Sequence, residues 1–115
     1  MTWQLRAGAA LGMASVGAGA YGAHAPSLNA SDPQWKPVWS TAVQYHQLGA
    51  LSLMACHAHP SARARLVGGA ALLGGTALFS GTNYAVAYLQ SREVAKGAPA
   101  GGMLMMLGFA ALAVL

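Results

Sequence analysis

The chain has 115 residues, of which 6 are Lys or Arg and 2 are Asp or Glu, so 7% are charged and 56% are hydrophobic. Soluble domains carry about 25% charged residues, and a globule this small with eight charges would expose broad apolar patches to water. The net charge of +4 sits in single or paired basic residues rather than a Lys/Arg block, so no nucleic acid is expected as partner.

The eight charges leave four uncharged runs, at 7–31, 37–62, 66–91 and 97–115. Each is long enough for a helix across a hydrocarbon core of roughly 30 Å, which takes about 20 residues. The first helix is predicted over 5–25. Arg6, an Ala/Gly-rich run and Ala23-His24-Ala25 imitate a cleavable signal, but Pro26 would follow the cut directly, and the segment is read as a retained membrane helix. The turn-forming stretch from Pro26 to Pro33 follows. The second helix is predicted over 38–58, entered through Pro37 and closed by His59-Pro60. A short basic loop with Arg63 and Arg65 leads to a third helix over 66–90. Residues 91–96 then separate it from a fourth over 99–115.

Connections this short make neighbours antiparallel, which predicts an all-α, integral membrane four-helix up-and-down bundle in one domain, with both termini on one side. Side A denotes the face bearing the termini, Arg63 and Arg65. Side B bears Lys36, Arg92 and Lys96. Three basic residues on each side leave the orientation open.

Small residues recur at helical spacing. Gly8, Gly12, Ser15, Gly19 and Gly22 form one seam on helix one, and Ala70, Gly74, Ala77 and Gly81 a second on helix three, with Gly97 and Gly101 continuing it. Such seams let backbones approach closely in lipid, where apolar burial drives little association. They serve packing within the chain or receive a partner's helix.

No Asp or Glu lies inside a predicted span, which argues against ion-coupled transport. A neutral polar set remains. His46 and Asn83 lie at similar depth, and Thr76, Ser80 and Asn83 share a helical face. A polar cluster of Tyr21, His24, Gln44, His46, Ser80 and Asn83 is expected in the side B half. It either satisfies its own hydrogen bonds or receives a lipid- or quinone-like headgroup. His46 and His57, roughly 16 Å apart along one helix, cannot share an ion, so no metal and no cofactor is assigned. Trp3, Trp35, Trp39 and Tyr88 are placed at the membrane interfaces, and Met103, Met105 and Met106 face lipid or fill gaps. The lone Cys56 permits no internal disulfide. No nucleophile–base pair, paired carboxylate or phosphate loop is present, so no catalytic residue is assigned.

The stretches 19–24 (GAYGAH), 41–46 (TAVQYH), 75–82 (GTALFSGT) with Tyr84, and 98–102 (APAGG) resemble, in order, the transmembrane protein 256 family, whose bacterial members form domain of unknown function 423. The resemblance implies a four-helix protein of the bacterial plasma membrane or the mitochondrial inner membrane, with no established catalysis. Gly49 stands where that family usually repeats a histidine three residues after the position of His46, and Phe109 where it tends to have Trp. The function expected is a non-catalytic accessory or structural subunit of a larger, respiratory-type inner-membrane complex, in contact with lipids and other subunits. The alternative is a small-molecule-binding membrane protein using the polar cluster.

Overall fold

The computed structural model describes residues 3–26, 28 and 32–115. Four α-helices follow one another: α1 (Trp3–His24), α2 (Trp35–Cys56), α3 (Ala62–Leu89) and α4 (Ala98–Val114), with a 3₁₀ segment (Arg92–Gly97) before α4. No strand occurs among the described residues. Part of the turn after Pro26, namely Ser27 and 29–31, lies outside them.

The boundaries follow local chemistry. In α2, Pro37 is the third residue, where its missing N–H would have no intrahelical partner in any case, so the helix starts at Trp35 rather than after the proline. Ser61 caps α3 by accepting the Ala64 N–H at 3.1 Å. The expected basic loop is therefore the first turn of α3. That helix ends at Gln90, held at φ 53° and ψ 45°, the left-handed conformation of a helix C-terminus. Ser91 accepts the Glu93 N–H and opens the 3₁₀ segment, and Pro99 sits in the first turn of α4.

At 1.5 Å per residue the helices of 22, 22, 28 and 17 residues are about 33, 33, 42 and 26 Å long. Among the described residues, one helical stretch, Arg92–Val114, is long and apolar enough to cross a membrane by length and composition. The other three have the length, but Gly, Ser, Thr, Gln, His and Tyr dilute their apolarity.

Each helix packs chiefly on the next in sequence, giving a flattened array of 48 × 25 × 16 Å. Glycines set the contacts. A Cβ on Gly8 would lie 2.8 Å from the Ala50 carbonyl oxygen, and one on Gly22 would run into the Trp39 indole. The α1 seam of Gly8, Gly12, Ser15, Gly19 and Gly22 therefore faces α2. Between α3 and α4 the fit alternates: Gly68 takes Leu112, Gly108 takes Leu72, Gly75 meets the Met105 backbone and Gly101 meets Phe79.

The expected α3 seam is not the packed one. Ala70, Gly74, Ala77 and Gly81 are exposed, and nothing lies within 4 Å of a Cβ built on Gly74 or Gly81. The packed glycines are Gly68 and Gly75. The faces differ because one residue turns a helix by 100° and two by 200°, so a stripe through Gly74 points well away from one through Gly75.

Near side B, Ala25, Leu28, Trp35, Val86 and Ala87 form a buried apolar cluster with Val38, Trp39 and Ala95 against it. Trp35 also carries the Arg92 guanidinium 5.3 Å from its ring centre. At side A, Gln4 Nε2 donates to the Arg65 carbonyl at 2.9 Å. There the Ser61 N–H donates to His59 Nδ1, which leaves the proton on Nε2 to donate to the Leu112 carbonyl at 2.9 Å. His59 thereby ties the α2–α3 connection to the end of α4.

Candidate functional site: a histidine–tyrosine joint between three helices

The expected polar cluster forms in part. His46, buried on the inner face of α2, shares a 2.8 Å hydrogen bond between Nδ1 and the Tyr84 hydroxyl of α3. One turn earlier on α3, the Ser80 hydroxyl donates to the Ala42 carbonyl at 2.8 Å. The Tyr84 ring packs at a tilt of 55° against Trp39 with centroids 4.6 Å apart, and Trp39 at 44° against Tyr21 at 5.2 Å. Trp39 Nε1 donates to the Ala18 carbonyl of α1 at 2.8 Å. A continuous row, Tyr21–Trp39–Tyr84–His46, thus joins α1, α2 and α3.

Three expected members fall elsewhere. Gln44 is exposed on the outer face of α2, since two residues separate it from His46 by 200° of helix rotation. His24 is exposed at the end of α1. The Asn83 amide donates within its own helix, to the Phe79 carbonyl at 3.0 Å. Sequence reasoning also missed the role of Trp39, placed at the interface but packed between helices. Its spacing of seven from His46, two full turns, was the available signal.

Two side-chain atoms in the joint lack a hydrogen-bond partner: His46 Nε2 and Thr76 Oγ1. The Leu11 backbone carbonyl lies near enough to the imidazole to interact with it electrostatically. Thr76 presses on Gly49, where any Cβ would overlap the threonine side chain. The position at which the family resemblance leads to a histidine thus lies against α3, and no side chain fits there beside Thr76. A cleft of about 150 Å³ opens over the joint, lined by Leu11, His46, Thr76, Ala77, Gly81 and Tyr84 among others. The unpaired nitrogen and oxygen sit behind its carbon surface. Among the described residues no three His, Cys, Asp or Glu side chains converge. An imidazole–phenol pair packed against the Trp39 ring can fix helix register and hold a proton in place.

A family model described as protein of unknown function (DUF423) matches residues 18–102. The chain belongs to the DUF423 family. The match takes in the whole row from Tyr21 to Tyr84 and Gly101, the packed glycine in the first turn of α4. Among relatives of this DUF423 chain is a UPF0382 membrane protein of Schizosaccharomyces pombe, 36% identical over 108 residues, which cover 90% of this chain and 92% of the relative. No solved structure matches the chain.

Proposed function

We propose that this DUF423 chain is an integral membrane four-helix bundle with no catalytic role, serving as an accessory subunit packed against a larger complex of respiratory type. Its membrane would be the mitochondrial inner membrane in a eukaryote or the plasma membrane in a bacterium, as the family resemblance implies. The observation that carries the reading is the outer surface. Met13, Val16, Leu51, Leu66, Met103, Met106, Leu107 and Val114 are each more than 60% exposed and are distributed over all four helices. Hydrocarbon solvates such a surface and water does not. The helix-to-helix connections are too short to hold a domain outside the bilayer. The open face of Ala70, Gly74, Ala77 and Gly81 offers close backbone approach to another subunit's helix.

Solubilising the membranes in mild detergent and separating the complexes by native electrophoresis tests the reading. The chain is expected to migrate with a larger assembly, and recovery solely as a free monomer would overturn it.

A second reading, binding of a small ring-bearing lipid headgroup at the His46 cleft, is favoured by the unpaired His46 Nε2 and Thr76 Oγ1 behind it. It requires a ligand to reach those atoms. A His46→Ala protein that keeps its helices but loses co-purifying lipid would support it, and unchanged lipid content would rule it out.

A further inference from the structure

One stripe along the outer face of α2 is largely polar. Ser40, Gln44, Gln47 and Leu51 lie on it at spacings of four, three and four, and all but Leu51 are polar; all four are exposed. Gln44 and Gln47 sit about 14 and 18 Å into a helix of 22 residues, at its middle. Neither amide has a hydrogen-bond partner among the described residues. A primary amide left unpaired in hydrocarbon is costly, because no water is present to replace the lost bonds.

Beside this face runs a groove between α1 and α2. Its side B half, about 350 Å³, is walled by Gly19, Ala23, Ser40 and Gln44 among others, and its side A half, about 250 Å³, by Gly12, Val16, Gln47 and Leu51 among others. On α1 the wall residues Gly12, Val16, Gly19 and Ala23 repeat the four-three-four spacing. Both walls therefore carry the periodicity of a left-handed helix–helix seam. Lys36 closes the side B end, in the headgroup region.

We infer that this face is a homodimer interface, in which the α2 helices of two copies cross along Ser40, Gln44, Gln47 and Leu51 and their glutamine amides pair across a two-fold axis normal to the membrane. The second copy follows from the chemistry of the seam. A primary amide carries donors and an acceptor on one group, so Gln44 can bond to its own symmetry mate, and so can Gln47. A two-fold interface demands that self-complementarity. From Ser40 to Leu51 the seam holds no acidic or basic residue that would call for an opposite charge on a different partner, and Lys36, one turn before Ser40, lies at its headgroup end. A single polar layer at such a seam also fixes register, since any slip leaves the amides unpaired. This inference rests on the membrane-spanning reading above but uses α2, not the α3 face assigned there to the larger complex.

The test uses the full chain in native membranes with Cys56→Ala and single cysteines at Gln44 or Gln47, oxidised with copper phenanthroline. Both are expected to give a disulfide-linked species of twice the 11.6 kDa chain mass. Leu107→Cys, on the outer face of α4, is expected to give none. With Ser40→Cys as reporter, adding Gln44→Leu and Gln47→Leu is expected to abolish the cross-link while helical content is kept. No cross-link at 44 or 47, cross-linking equal to that at 107, or cross-linking only to a different protein would each overturn the inference. Native electrophoresis of the same membranes separates the two proposals: a large complex without the α2 cross-link refutes the homodimer alone. Cross-linked dimers without a large complex refute the accessory-subunit reading alone.

Discussion

Gly74 and Gly75 are adjacent in α3, and the structure assigns opposite outcomes to the same substitution at each. A Cβ on Gly75 would lie 2.6 Å from the Met105 amide nitrogen and 2.8 Å from the Gly101 carbonyl oxygen, both backbone atoms that no rotamer change can move. Restoring ordinary contact near 3.4 Å requires α3 and α4 to separate by about 0.8 Å, and gaps of 0.5–1 Å forfeit a quarter to a half of each van der Waals contact they open. Overpacking of this kind costs up to about 3 kcal/mol, and the better helix propensity of alanine returns about 1 kcal/mol. Gly75→Ala should therefore destabilise by about 2 kcal/mol. At Gly74 nothing lies within 4 Å of the added carbon, so Gly74→Ala should stabilise by about 0.5–1 kcal/mol through propensity alone. Reversible unfolding of both variants in the same detergent or bicelle measures the difference, expected near 3 kcal/mol. Equal effects at the two positions, or a more stable Gly75→Ala protein, would refute the α3–α4 contact described here.

Other substitutions report on separate parts of the fold. Tyr84→Phe removes the partner of His46 Nδ1 and leaves a second imidazole nitrogen unpaired, which should cost about 1–3 kcal/mol in the same unfolding assay. Ser61→Ala removes the cap on α3 and should cost about 1 kcal/mol. His59→Ala cuts the tie to the Leu112 carbonyl, and hydrogen exchange should speed up at the end of α4 while the α1–α2 contact keeps its protection. Gln90→Gly relieves a left-handed conformation at a residue with a Cβ and should stabilise by about 1 kcal/mol.

The helices were legible because charges and prolines mark their ends, and each predicted span overlaps an observed helix with boundaries moved by one to four residues. The α1 seam was legible as well, since its glycines stand alone at four-and-three spacing. The α3 seam was not. Gly68-Gly69 and Gly74-Gly75 are doublets, so glycine spacing supports two stripes, and which one packs depends on where Phe79 and Leu72 meet α4. The joint at His46 shows the same limit. Depth along the helices put His46 level with Asn83 and so close to Tyr84. Depth says nothing about rotation, which is why Gln44, level with the cluster, points the other way. Thr76 against Gly49 is a contact between two helices distant in sequence, and no local pattern encodes it.

Four membrane crossings are the claim on which both functional proposals stand. With Cys56 replaced by Ala, a single cysteine at His57, in the α2–α3 connection, and another at Glu93, in the 3₁₀ segment, report the two ends of the bundle through a membrane-impermeant thiol reagent. In sealed vesicles of one orientation, the account predicts that one position reacts from outside and the other only after the membrane is opened. Reaction of both from the same side would contradict it.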